Sequence, residues 1–184
     1  MKFFWRMLAI WLRARRLPRR DARDVGRIRL RVLPTDCDVF LHMNNGVYLT
    51  VQDLGRLDWM LRTGVQPIMR RHGWNVVAAR ISISYRRSLD LGAEYDLETR
   101  LLGTDERNFY MEQRFVHDGQ LAAQGYVIGR FLGADGPVPM AEIAAGMPEI
   151  DAWRDEVPAW VREWADAARL PSSRGDHPSI WRNR

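Results

Sequence analysis

Asp36-Cys37-Asp38-Val39-Phe40-Leu41-His42-Met43-Asn44-Asn45-Gly46-Val47-Tyr48 concentrates polar chemistry at the threshold of a strongly apolar segment. Seven of these thirteen side chains are polar or ionisable, and they include two carboxylates, a thiol, an imidazole and two amides. Asp, Asn and Gly are also ordinary turn and N-cap residues. Taken alone, the stretch therefore fits either a loop ending in a helix cap or a site that performs chemistry.

The residues around it supply a framework. From Asn45 to Thr63, Val47, Tyr48, Val51, Leu54, Leu57, Trp59, Met60 and Leu61 make a helix apolar over most of its circumference, with Gly64 placed to stop it. Such a helix must be wrapped by other structure. Gly55 in its middle costs about 1 kcal/mol of helix propensity relative to alanine, which is explicable where a sheet approaches closely. Upstream, Ile28, Leu30 and Val32 alternate with Arg27, Arg29 and Arg31 as a half-exposed strand that Pro34 ends. Downstream, a helical turn over 66–72 leads to strand runs near 81–86, 94–101, 109–116 and 121–132, the last two joined by the hairpin signal Asp118-Gly119. These four are expected to follow one another as an antiparallel meander with one wet face. Gly125 and Gly129 share a face of the last strand and would let a helix sit tightly against it. One strand, one long buried helix and four antiparallel strands make an α+β plan in which the sheet curls around the helix.

The order Asp-x-Asp, then x-x-x-His-x-Asn-Asn-x-x-Tyr, then Asp53 and Arg56 on the following helix, resembles the active-site segment of the hotdog-fold thioesterases. It is most similar to the 4-hydroxybenzoyl-CoA thioesterase group and to the bacterial relatives of thioesterase superfamily member six, over about Ile28 to Pro139. The resemblance implies a hotdog fold, with an antiparallel sheet of about five strands around one long helix, and a homodimer or higher homo-oligomer with sites at the subunit interface. It implies hydrolysis of an acyl-CoA or acyl-carrier-protein thioester to a free acid and a thiol, without metal or other cofactor. Residue by residue, Asp38 matches the family's general base or direct nucleophile, and Asn45 falls where the family presents a backbone N–H to the oxyanion. Free N–H groups and the positive end of the dipole gather at a helix N-terminus, so the physics agrees. Asn44 ties the loop, Tyr48 packs beneath it, and Asp53 reaches across the dimer interface to water or to Asn44. Asp36 reads as structural. His42 stands four residues after Asp38, as in the plant-type acyl-carrier-protein thioesterases, but the asparagine midway between them is here Phe40. His42 is left to orient Asp38, to contact the thioester or to cap the loop. The missing polar residue also supports an alternative, a non-catalytic hotdog module that binds an acyl thioester or a partner at a membrane. Hotdog hydratases fit worse, because they place a histidine five residues after the aspartate.

Composition narrows the classes further. A chain of 184 residues, 46% hydrophobic, suits one domain with appendages. The single cysteine, Cys37, excludes an intrachain disulfide and a multi-cysteine metal site and favours the cytoplasm. Its acidic neighbours raise a thiol pKa and argue against a cysteine nucleophile. His72, His117 and His177 lack metal-ligand spacing. Net charge is +5, but residues 1–31 hold 11 cations against two acids, leaving 17 against 21 in residues 32–184. A mildly acidic body with a basic arm is not the footprint of a nucleic-acid binder. On a helix, Lys2, Arg6, Ala9, Arg13 and Arg16 form one stripe of Met1 to Pro18 while aromatic and aliphatic residues cover the rest. Spanning a bilayer takes about 20 apolar residues, which this segment lacks, and no small-residue cleavage site follows it. Two readings stay open: peripheral contact with an anionic membrane on its cytoplasmic side through residues 1–18, or packing on the protein's own surface or a partner subunit. The expected division is 1–25 arm and linker, 26–139 hotdog domain, and 140–184 helical extension and tail. In the extension, Trp153, Val157, Trp160 and Trp164 recur at helical spacing as packing residues.

Overall fold

The computed structural model describes residues 2–147, 157–171, 175–176 and 178. In chain order the elements are α1 (Lys2–Arg16), β1 (Gly26–Arg31), α2 (Asn45–Thr63), α3 (Val65–His72), β2 (Asn75–Tyr85), β3 (Glu94–Thr104), β4 (Phe109–His117), β5 (Gln120–Gly133), β6 (Gly136–Val138), α4 (Met140–Gly146) and α5 (Ala159–Ala167). The strands form one antiparallel sheet in the order β1-β3-β4-β5-β2, with the short β6 paired to β5. This is the α+β hotdog architecture expected from the sequence.

The strand order corrects one expectation. β3, β4 and β5 do form a meander, and the β4–β5 turn puts Asp118 and Gly119 at φ 49° and 71°, the two positive values a tight hairpin requires. β2, however, does not pair with β3. It crosses to β5, setting Ile81 against Val127 and Ile83 against Gly125. Alternation reports which face a residue takes and is silent on which strand lies beside it, so the crossover was not legible.

α2 has the expected bounds. Asn44 caps it by accepting the Gly46 N–H at 2.9 Å, and Gly64 ends it at φ 90°. At Gly55 a Cβ would lie 2.7 Å from Gln113 Nε2 and 2.9 Å from Leu97 Cδ2, so the sheet does touch the helix there. The glycines of β5 divide their work. Gly125 admits the Gln52 side chain of α2, whereas the space at Gly129 is filled by the Phe109 ring of the neighbouring strand.

α2 is also less uniformly apolar in its setting than its sequence suggests, because Gln52, Arg56, Asp58, Arg62 and Thr63 are buried. Partners distant in sequence make this possible. Arg56 donates to Gln113 Oε1 at 2.8 Å, Arg62 to the Pro18 carbonyl at 3.1 Å, and Asp58 accepts from Arg13 at 3.1 Å. The last two come from the N-terminal segment. α1 lies along α2 with Ile10 and Ala14 buried and Phe3 and Met7 half-buried, and Arg6 pairs with Asp36 at 2.6 Å. Arg6 and Arg13 of its basic stripe thus reach two carboxylates, while Phe4, Trp5, Trp11 and Leu12 remain exposed. Among the described residues no helix is long and apolar enough to cross a membrane.

At the other end, Met140 and Ile143 of α4 join the core cluster around Trp59 and Phe131. Val157, Val161 and Ala165, in and just before α5, pack on Leu102, Tyr110 and Ile128. Val157 and Trp164 thus make the packing contact expected of them. Trp164 packs partly buried on the same cluster, and Trp160 is half-exposed, edge-on to Tyr126. Trp153 and most of the tail beyond Pro171 lie outside the described residues.

Candidate active site

The loop before α2 is folded around the carboxylate of Asp38. One of its oxygens accepts from the Phe40 N–H at 2.9 Å and from the His42 N–H at 3.4 Å, and the other has no hydrogen-bond partner among the described residues. The Asp38 N–H bonds to the His42 carbonyl and the Leu41 N–H to the Asp38 carbonyl. This tight reversal holds Leu41 at φ 61°, a left-handed conformation costing an L-residue about 1–2 kcal/mol. Leu91 and Leu89 brace the loop from outside, donating to the Leu41 carbonyl and accepting from the Met43 N–H respectively.

The departure at position 40 therefore has a structural answer. Phe40 serves Asp38 through its backbone, and its side chain is 74% exposed, flanked by Val39 at 88% and Leu41 at 60%.

Asp36 plays the structural part expected of it. It is buried, pairs with Arg6 and accepts the Leu33 N–H, and its carbonyl takes the Asn44 N–H. Asn44 in turn occupies the second and third donors of α2, taking Gly46 N–H with its side chain and Val47 N–H with its carbonyl. Nothing among the described residues accepts the Asn45 N–H.

Asp38, His42, Asn45 and Tyr48 meet at one open concavity of about 240 Å³, together with Tyr85, Arg86 and Arg87. Tyr48 forms its floor, buried edge-on against Tyr85 and Phe115, and burial pushes its hydroxyl above the ordinary phenol range. The Tyr85 hydroxyl donates to the Asn45 carbonyl at 3.2 Å. His42 is exposed, with Nε2 3.5 Å from Asp90. The Cys37 thiol is pushed up by burial and then by Asp36 and Asp38, the direction that disfavours a thiolate.

Asp53 is placed elsewhere. Eight residues, about 12 Å of helix, separate it from Asn45. It pairs with Arg56 and opens on a second, mostly apolar groove of about 220 Å³ whose walls include Phe3, Met7, Leu57, Met60 and Phe109.

The thioesterase-like superfamily model matches residues 32–165, a span that holds the loop, α2, strands β2 to β6 and most of α5. The chain belongs to the thioesterase-like superfamily. The match passes Pro139, where the sequence resemblance stopped. Among curated relatives, Protein THEM6 of Xenopus laevis is 45% identical over 46% of this chain and 41% of its own length. Protein THEM6 of Drosophila melanogaster is 30% identical over 76% of this chain and 71% of its own. The chain thus spans less than half of the Xenopus protein. Among solved structures, a thioesterase from Thermus thermophilus complexed with coenzyme A and zinc is 28% identical, with a TM-score of 0.58, covering 70% of this chain and 93% of that one.

In this superfamily member the sequence did not single out Asp90, Tyr85, Arg86 or Arg87. The signal for the arginine pair was present, since two adjacent cations end a strand run, but only the β2–β5 pairing brings them to the Asp38 loop. No group of three or more His, Cys, Asp or Glu that could hold a metal occurs among the described residues.

Proposed function

We propose that this protein hydrolyses acyl-CoA thioesters, with Asp38 as general base or direct nucleophile and the Asn45 N–H as oxyanion donor. One observation carries the reading: a carboxylate with one oxygen anchored and one open lines the same concavity as the residue whose N–H is unclaimed at the positive end of α2. Water deprotonated by Asp38 attacks the thioester carbon, or Asp38 itself attacks it and the mixed anhydride so formed is then hydrolysed by water to release the acid and free the carboxylate. Charge develops on the carbonyl oxygen beside the Asn45 N–H, and the thiolate leaves to be protonated. His42 assists by orienting the thioester end, with Asp90 beside its ring. Arg86 and Arg87 suit the phosphates of coenzyme A, the ligand bound by the Thermus relative. The groove containing Asp53 is the apolar surface that α2 offers to an acyl chain.

On this reading the enzyme works as a homodimer without metal or other cofactor, in the cytoplasm. Val77, Ile81 and Tyr85 are exposed on the edge strand β2, and Val39, Phe40 and Leu41 are exposed beside the site. Sheet edges and apolar loops of this kind are surfaces that a second subunit covers.

The test is a panel of acyl-CoAs of graded length with free-thiol detection, run on wild type, Asp38→Asn and Cys37→Ala. Asp38→Asn should lose roughly 10²- to 10⁴-fold in turnover, the usual worth of a positioned base, while Cys37→Ala stays active. Undiminished hydrolysis by folded Asp38→Asn rejects the assignment.

A further inference from the structure

The sheet face that α5 covers carries a crevice of about 360 Å³ lined by Arg80, Asp105, Arg107, Tyr110, Arg130 and Arg169, with the exposed acids Glu106 and Asp166. It shares no residue with the Asp38 concavity.

Strand alternation alone would not gather these arginines. β2 pairs Val77 with Arg130 and Ala78 with Gly129, then shifts register so that Arg80 faces Ile128. Directly opposed residues share a face, as do alternate residues of one strand, so the shift puts Arg80 on the face of Arg130. Without it Arg80 would face Val127 and point to the α2 side. Bulges re-aim side chains in this way, often beside functional sites.

Two of the guanidinium groups are anchored through Nε alone. Arg80 donates to the Ala168 carbonyl at 3.1 Å and Arg130 to Asn108 Oδ1 at 2.6 Å. Among the described residues no acceptor takes their terminal nitrogens, nor the side chains of Arg107 and Arg169. Asp105, the least exposed acid of the crevice, is already committed. It accepts from the Tyr110 hydroxyl, the Asn108 side chain and the backbone N–H groups of Arg107 and Asn108. Burial pushes its pKa up, and these bonds outweigh burial and hold it below the ordinary carboxylate range. Arg130 is lowered by burial and then by Arg80 and Arg169, and the opposing pull of Asp105 does not cancel them, as expected where like charges crowd together.

We propose that this crevice is a binding site for a diphosphate-bearing anion, with Arg80 and Arg130 as the anchored pair and the exposed Arg107 and Arg169 completing it. Guanidinium forks take phosphate oxygens two at a time. Two linked phosphates bring more charge and more oxygen edges to four forks than a single phosphate does.

Isothermal titration of the full chain with inorganic pyrophosphate at low ionic strength tests this without any thioester turnover. Saturable binding is expected, weakened by salt. It should fall about tenfold or more in Arg107→Gln/Arg169→Gln, since hydrogen bonds to charged groups are each worth about that factor; both replaced side chains are exposed, so the fold is left alone. Orthophosphate should bind at least tenfold more weakly. ADP titrated in parallel separates the two carriers of the group: affinity above that of pyrophosphate assigns the site to a nucleotide, and affinity below it to the inorganic anion. Absence of saturable binding to wild type, unchanged affinity in the double variant, or equal affinity for orthophosphate and pyrophosphate overturns the proposal.

Discussion

Replacing Arg13 by Met keeps an unbranched stem on the flank of α2 and deletes the cation that Asp58 faces. The Asp58 side chain is 1% exposed, with one oxygen 3.1 Å from Arg13 and the other without a hydrogen-bond partner among the described residues. Removing one member of a fully buried ion pair costs about 3–5 kcal/mol. The Arg13 side chain is 41% exposed, and Arg62 and Arg20 still act on Asp58, so screening brings the expected loss to about 2 kcal/mol. For a chain of this length that is about 4–8 °C in melting temperature. The loss should depend on pH with a definite sign. Burial raises the Asp58 pKa against the pull of Arg13, Arg62 and Arg20. A native value above the unfolded one means that the native state binds more protons, so this group costs stability as pH rises from about 4 through the raised value. Without Arg13 that value rises further, so the deficit of the variant grows with pH across the window and levels off above it. Urea unfolding of wild type, Arg13→Met and Arg13→Met/Asp58→Asn at several pH values measures this, and the double variant should recover most of the loss at neutral pH. A deficit that is the same at every pH, or one that Asp58→Asn leaves in place, refutes the reasoning.

Gly55→Ala gains about 1 kcal/mol of helix propensity but drives a Cβ into Gln113 and Leu97, where overpacking costs about 1–3 kcal/mol; a net loss should appear as a lower denaturation midpoint. Light scattering at micromolar concentration should give at least twice the 21.5 kDa chain mass, with Ile81→Lys on the exposed edge strand shifting it toward monomer. Vesicles containing anionic lipid should bind the protein through the outer face of α1, less so in high salt. Trp5→Ser/Trp11→Ser should weaken that binding with little change in melting temperature, because both rings are exposed. Deleting residues 1–18 is the poorer test, since it also removes Ile10, Ala14 and Arg13 from the fold.

Much of the architecture is legible in the chain because helix and strand periodicity are local. The limits of α2, its Asn44 cap and Gly64 stop, the Asp118-Gly119 hairpin and the close approach at Gly55 each depend on residues a few positions apart, where side-chain chemistry acts on its own backbone. Asp38 and Asn45 belong to the same class. Seven residues of extended chain could part them by about 24 Å; the local reversal at Leu41 is what closes that distance. Tertiary structure decided what those residues meet. The crossing of β2 to β5 delivers Tyr85, Arg86 and Arg87 to the Asp38 loop, and a one-residue bulge in the same strand turns Arg80 toward Arg130. The docking of α1 makes Arg6 and Arg13 of the basic stripe partners for Asp36 and Asp58 and leaves Phe4, Trp5 and Trp11 outside. Asp53 turned to Arg56 and a separate groove. In each case the deciding partner lies tens of residues away or on another turn of the helix. Charge, polarity and period describe what a side chain can bind, and only the path of the chain through space determines which group is there to be bound.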